Sequence, residues 1–273
     1  MATCRVVDSR AHARLVLESL APLGRLAGCE DRETVNAFLV RSIATMPQTL
    51  FAMDFPFGLP VELDLGSWPQ QLAFVNDGRI RRRPSAISTE SHQDARTLGL
   101  RLVSRSEHLC GIKHVRRQTD VENATPFDCY HYRIIYQTYH GMRDVLYPIH
   151  RRSDTLVLPF DDHQTKPDAD RLVVETCPSS TLKRLGLPHQ RYKQSGGRAP
   201  DAVHRQTRRI QLRQLSQFAD WSTHRRRVMM RDSGGDAIDA VIAAIGGWQA
   251  VSQAPHDQIA ADPKYPIEGY VYA

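Results

Sequence analysis

Two segments of this chain, more than a hundred residues apart, share one grammar: an apolar run, then an acid, then a proline. The first is Thr49-Leu50-Phe51-Ala52-Met53-Asp54, followed by Phe55-Pro56-Phe57-Gly58-Leu59-Pro60. The second is Leu172-Val173-Val174-Glu175-Thr176-Cys177-Pro178. Neither run alternates polar with apolar residues, as expected of strands covered on both faces. Proline ends each run because it has no N–H for a ladder. The long separation allows the two strands to be parallel neighbours. The class is therefore α/β, with an acid at the C-terminal end of each strand. Ligands bind at that edge of open α/β sheets.

The rest of the chain fits around this pair. Cys4–Val7 and Leu15–Leu20 are β-like runs, and Val35, Phe38, Leu39 and Ile43 have helical spacing within Glu33–Ile43. Residues 61–150 are polar and mostly helical in pattern, with Leu98–Leu109 and Tyr132–Leu146 the best helices. Thr155–Pro159 adds a strand, and roughly 201–230 is a polar helical stretch. Asp236–Val251 is apolar on nearly every side and is expected to be buried. The expected organisation is one domain, 1–273, with a large helical insertion at about 61–150.

Composition limits what such a domain does. Hydrophobic residues are 41% and charged residues 24% of the 273, which excludes a disordered or fibrous chain. No stretch approaches the roughly 20 apolar residues of a membrane span. The N-terminus lacks a signal-peptide layout. The five cysteines are odd in number and none is spaced C-x-x-C, so neither a disulfide framework nor a zinc site is expected. A cytoplasmic location follows as the simplest expectation. The net charge is +6, and all but five of the 36 basic residues are Arg. That balance suits an anionic partner, although an Arg-rich proteome gives the same composition.

Four acids carry the chemistry. Asp54 and Glu175 end the two buried strands. Asp236 and Asp239 lie three apart at the start of the last apolar helix, on one face. Carboxylates at such places are costly unless paired or metal-bound. Hard cations such as Mg²⁺ take oxygen ligands, and a metal pair can clamp an in-line phosphoryl displacement. Three of the acids also have a plainer explanation. Ser233-x-x-Asp236 is a capping box, Asp54 can turn the chain before Pro56, and Glu175 can pair with an arginine. Asp239, beyond the first turn, is not explained by capping.

At these residues the sequence resembles the predicted RNase H-like nucleases of domain-of-unknown-function family 429. The resemblance rests on Phe51–Pro60, on Thr125–Asp144 (TPFDCYHYRIIYQTYHGMRD), on Val174–Lys183 with Tyr192-Lys193, on Gly234–Ala244, and on the tail Tyr265–Tyr270. It implies an RNase H-like mixed central sheet flanked by helices. It also implies an acidic centre binding Mg²⁺ or Mn²⁺, with Asp54, Asp239 and Asp236 as metal ligands and Glu175 beside them. The family opens with a central strand bearing a Gly-x-Asp-x-Ser type segment. This chain opens at Met1-Ala2-Thr3-Cys4-Arg5-Val6-Val7-Asp8, which resembles the family's second strand. The first central strand and its acid are therefore expected to be missing. Little or no cleavage is expected of these 273 residues alone.

Nucleic acid is the expected partner, through Lys193, Arg116, Arg117 and Arg143. The clusters Arg79–Arg83, Arg116-Arg117 and Arg225–Arg227 can line a phosphate path, with Tyr130, Tyr132, Tyr136 and Tyr139 as stacking faces. Solvated surface and core packing are the plainer roles of these residues. There is no G-x-S-x-G elbow, P-loop or G-x-G-x-x-G. The competing class is a non-catalytic module of the same fold that binds nucleic acid or protein.

Overall fold

The computed structural model describes residues 1–8, 13–77, 90–194 and 196–273. It is a mixed α/β protein with 50% helix and 12% strand. In chain order the elements are β1 (Ala2–Asp8), β2 (Ala13–Leu20), α1 (Leu23–Ala27), α2 (Arg32–Thr45), β3 (Thr49–Met53), α3 (Trp68–Val75), α4 (Glu90–Cys110), α5 (Gln118–Glu122), α6 (Ile135–His140), a π-helical turn at Gly141–Leu146, α7 (Tyr147–Ile149), β4 (Thr155–Val157), β5 (Arg171–Glu175), α8 (Pro178–Arg184), α9 (Ala202–Leu215), β6 (Ala219–Asp220), α10 (Thr223–Arg231), α11 (Asp236–Gln253), α12 (His256–Ala261) and α13 (Tyr265–Glu268). No helix of the described residues is long and apolar enough to cross a membrane.

One domain with one mixed sheet is expected from the sequence. The described residues group into two compact units, each with its own three-stranded sheet. The first unit comprises Met1–Val35, Thr176–Gln253 and Ala273. Its β1 and β2 are antiparallel, from Ala2 opposite Leu20 to Asp8 opposite Ala13, with an irregularity between Thr3 and Cys4. A two-residue strand, β6, joins β2 in parallel. β6 interrupts the stretch read as helical over 201–230, because it is too short to show any periodicity. Leu15 and Leu17 of β2 pack with Leu182, Leu212, Met229, Ile238, Val241, Ile242 and Ile245. That is why α11 is apolar all round: α8 and α10 and the sheet strands β1 and β2 cover it.

The second unit comprises Asn36–Glu175 and Ala254–Tyr272. Its strand order is β3-β5-β4, all parallel, with Thr49 opposite Arg171 and Met53 opposite Glu175. The parallel pairing of the two acid-ended strands is as expected. The helical segment at 61–150 has no strand among its described residues. It is not a separate body, since Leu72, Leu98, Leu102, Tyr139 and Leu146 share a core with Phe51, Met53, Val157 and Val173 of the sheet. The helix expected over Tyr132–Leu146 begins only at Ile135 and widens to π geometry at Gly141. Among the described residues, β1 and β3 are each an outer strand of their own sheet.

Candidate functional site

The β3–β5 pair brings two of the four expected acids to one edge. Glu175 is the last residue of β5, opposite Met53, and Asp54 follows Met53 directly. Their environments differ. Asp54 is exposed, whereas Glu175 is only 3% exposed. Glu175 meets Arg117 in a two-bond ion pair, Nη1 to Oε2 at 2.8 Å and Nη2 to Oε1 at 2.5 Å. Arg117, itself 1% exposed, also donates to Asp120 from Nε and Nη2, at 3.0 and 2.9 Å. Burial pushes the Glu175 carboxyl above its usual range although Arg117 pulls the other way. Burial disfavours the Arg117 charge, but Asp120 and Glu175 outweigh it and hold the guanidinium firmly protonated.

Glu175 also fixes the turn that follows Asp54. Its Oε2 accepts the Phe57 N–H at 2.8 Å. The Phe57 carbonyl accepts from Trp68 Nε1 at 2.8 Å, and Gln71 bonds both the N–H and the C=O of Leu59. Gly58 lies so close to the Glu268 backbone that a Cβ there would sit 2.7 Å from the carbonyl oxygen. The segment Phe55–Pro60 is therefore braced at three consecutive residues, which restricts where Asp54 can stand.

The other two acids lie in the first unit, on α11. Asp239 is 7% exposed. Its Oδ1 accepts from the Tyr192 hydroxyl at 2.8 Å, and its Oδ2 pairs with the half-exposed Lys193 ammonium. Burial pushes the Asp239 carboxyl above its ordinary value, with Lys193 and Tyr192 opposing. Asp236 is exposed in the first turn of the helix. The capping expected of Ser233-x-x-Asp236 is supplied by Asp232, whose Oδ2 accepts the Ala237 N–H at 2.9 Å. The two acids share a helix but not an environment.

Sequence reasoning missed the residue that assembles this region. Arg208 is fully buried and donates to four backbone carbonyls: Tyr192 at 2.7 Å, Met229 at 3.0 Å, Asp232 at 2.5 Å and Ser233 at 3.3 Å. It ties the Tyr192-Lys193 loop to the Gly-Gly turn before Asp236. Gly235 has φ +82°, so a side chain there would be strained, and its position lies against Lys193. Nothing in a polar stretch with several arginines marks this one as buried.

The expected substrate-binding cations are placed as follows. Lys193 meets Asp239. Arg117 belongs to the buried Glu175 network, which removes it from any surface. Arg116 is exposed and anchored on the Asp120 and Thr125 carbonyls, at 3.0 and 2.5 Å. Arg143 stacks over the Tyr139 ring at 4.5 Å and is hydrogen-bonded to Asp144. Asp144 also meets His140 Nδ1 at 2.8 Å. Arg225 donates to the Glu18 carbonyl. The cluster Arg79–Arg83 lies outside the described residues. Of the four candidate stacking tyrosines, Tyr130 and Tyr139 are buried and Tyr136 is half-buried, so Tyr132 alone of them is exposed. Among the described residues no group of three or more His, Cys, Asp or Glu side chains is arranged to hold a metal ion.

No family model matches the chain, and neither the curated proteins nor the solved structures give a match. The fold and the placement of the acids therefore define it as a mixed α/β protein with carboxylates at a parallel strand edge and at the start of a buried helix.

Proposed function

We propose that this protein has an RNase H-like fold and acts on nucleic acid as a metal-dependent phosphodiesterase in the cytoplasm. The carrying observation is Asp54: an exposed carboxylate at the C-terminal end of a parallel strand pair, on a turn that buried Glu175 locks in place. The antiparallel β1–β2 hairpin before that pair, and an acid-bearing helix near the chain end, support the fold reading.

The acidic donors differ in how they suit Mg²⁺ or Mn²⁺. Asp54 and Asp236 are exposed carboxylates and suit a hard cation. Asp239 suits one as well, because a half-exposed ammonium already balances its buried charge and can be replaced. Glu175 does not suit one, since Arg117 and the Phe57 amide take its oxygens. We therefore assign Asp54 in the second unit, and Asp239 and Asp236 in the first, as metal-side carboxylates, and Glu175 as a positioning residue. A bound cation supplies Lewis-acid stabilisation of charge on the phosphoryl oxygens. The chain's own part is to hold these carboxylates and to bind the phosphate backbone through its exposed arginines.

A second reading, a non-catalytic nucleic-acid-binding module, is favoured by one observation: Lys193 and Arg117 already neutralise two of the four acids. Incubation of a labelled oligonucleotide with Mn²⁺ separates the two. Slow cleavage that Asp54→Asn abolishes supports the first. Binding that weakens steeply with salt, with neither cleavage nor Mn²⁺ binding, selects the second.

A further inference from the structure

The loop before α6 builds a surface that the carboxylate chemistry does not use. Four ring contacts run through it and reach back to His114. Tyr130 and His114 stack with centroids 5.5 Å apart and planes 12° apart. His114 and His131 lie 6.0 Å apart, His131 and Phe127 stack at 4.7 Å, and His131 and Tyr132 lie at 4.4 Å. The Arg133 guanidinium sits over both outer rings, 5.5 Å from Phe127 and 5.7 Å from Tyr132.

This array is fixed from below and open above. Tyr130 is 1% exposed, and its hydroxyl accepts the Val115 N–H at 2.6 Å and donates to Ser106 at 3.1 Å. Asp128, also buried, accepts the Tyr130 N–H and pairs with His114 at 3.2 Å. The backbone turns at once, with Ile134 and Ile135 both donating to the His131 carbonyl at 2.9 Å. Tyr132, by contrast, is 68% exposed. Its contacts are with His131 and with Arg133, whose Nε donates to its hydroxyl at 3.2 Å, and most of the side chain stays open to solvent. The exposed cations Lys113, Arg116 and Arg133 belong to the same stretch of chain, and Arg116 is held by carbonyls, so its charge is not spent on a carboxylate in those bonds.

We propose that this platform binds single-stranded nucleic acid, with a base stacking on Tyr132 under the Arg133 guanidinium and the backbone running past Lys113 and Arg116. Flat π-faces interleaved with cations suit unpaired bases, which expose their own faces, and do not suit a duplex, whose bases are already stacked. The array is preorganised by Tyr130 and Asp128, so little ordering is needed on binding. The proposal rests on the nucleic-acid reading above and narrows it to single strands.

Fluorescence anisotropy with labelled oligo-dT tests it, in EDTA so that binding is read without cleavage, beside a duplex of equal length. The expected result is tighter binding of oligo-dT than of duplex, a loss of about tenfold or more on Tyr132→Ala, retention on Tyr132→Trp, and weakening on Arg133→Ala. An unchanged urea midpoint for Tyr132→Ala excludes misfolding. Equal affinity of Tyr132→Ala and wild type, duplex binding as tight as single-strand binding, or no binding at all overturns the proposal. Oligo-dT binding of the expected pattern with neither Mn²⁺ binding nor Mn²⁺-dependent cleavage leaves it standing and removes the phosphodiesterase reading instead.

Discussion

The Arg117 guanidinium grips the Glu175 carboxylate through two hydrogen bonds, of 2.8 and 2.5 Å, with both side chains sealed from solvent. In the sequence Glu175 is an acid at a strand end, and Arg117 is half of a basic pair. Together they are an internal brace, with Asp120 on the far side of the guanidinium and the Phe57 amide on the near side of the carboxylate. Removing one partner of a buried ion pair leaves the other charge uncompensated. Glu175→Ala is expected to cost about 3–5 kcal/mol, read as a lower urea midpoint. A loss under about 1 kcal/mol means the brace is not structural.

Close packing of α8 on α11 depends on Gly246. A Cβ at that position would lie 3.1 Å from the Thr181 Cβ and closer still to its hydroxyl. Overpacking of this kind costs about 1–3 kcal/mol. Gly246→Ala is expected to destabilise the protein by that amount, and Thr181→Ala made with it is expected to recover most of the loss. An additive double variant contradicts this contact.

Asp239 trades stability for its charge. Burial raises its carboxyl above the ordinary value. A raised carboxyl favours the folded state only below its unfolded value, and that benefit is lost as pH rises through the folded value. At neutral pH the charged Asp239 is thus a net cost, as is common at functional sites. Asp239→Asn is expected to raise the urea midpoint at pH 7, with the gain shrinking as the pH is lowered towards the ordinary carboxylate range. A lower midpoint at pH 7 contradicts it.

Asp144 runs the opposite way. Burial works against its charge, but hydrogen bonds from His140 and Arg143 outweigh that and hold the carboxyl below its ordinary value of 3.8. Its contribution is therefore complete above 3.8 and lost as pH falls through the lowered value. Asp144→Asn is expected to lower stability at pH 6 and to lose that effect as pH falls below 3.8 and through the lowered value. A pH-independent difference argues that shape, not charge, holds the π-helical turn.

The parts of the fold legible in the sequence were those whose burial leaves a pattern. β3 and β5 show uninterrupted apolar runs, and α11 is apolar on every side, so their type and the parallel pairing could be inferred. β6 has two residues and no pattern to show. The π-helical turn at Gly141–Leu146 has the composition of an ordinary helix; only the structure reveals the widened geometry beside Phe55. For the site, Asp54 was visible as an acid at a buried strand end and Asp239 as one that capping does not explain. Arg117 and Arg208 were not, because a buried arginine is defined by partners far away in sequence. Asp232 displaced Ser233 and Asp236 from the expected cap for the same reason: the choice among adjacent cap candidates is made by loop geometry.

The proposal that carboxylates of this chain bind a divalent cation is tested most directly by calorimetric titration with Mn²⁺. The wild-type protein is expected to bind Mn²⁺, with Asp54→Asn and Asp239→Asn each weakening binding by about tenfold or more. Identical titrations for the wild type and both variants contradict the account.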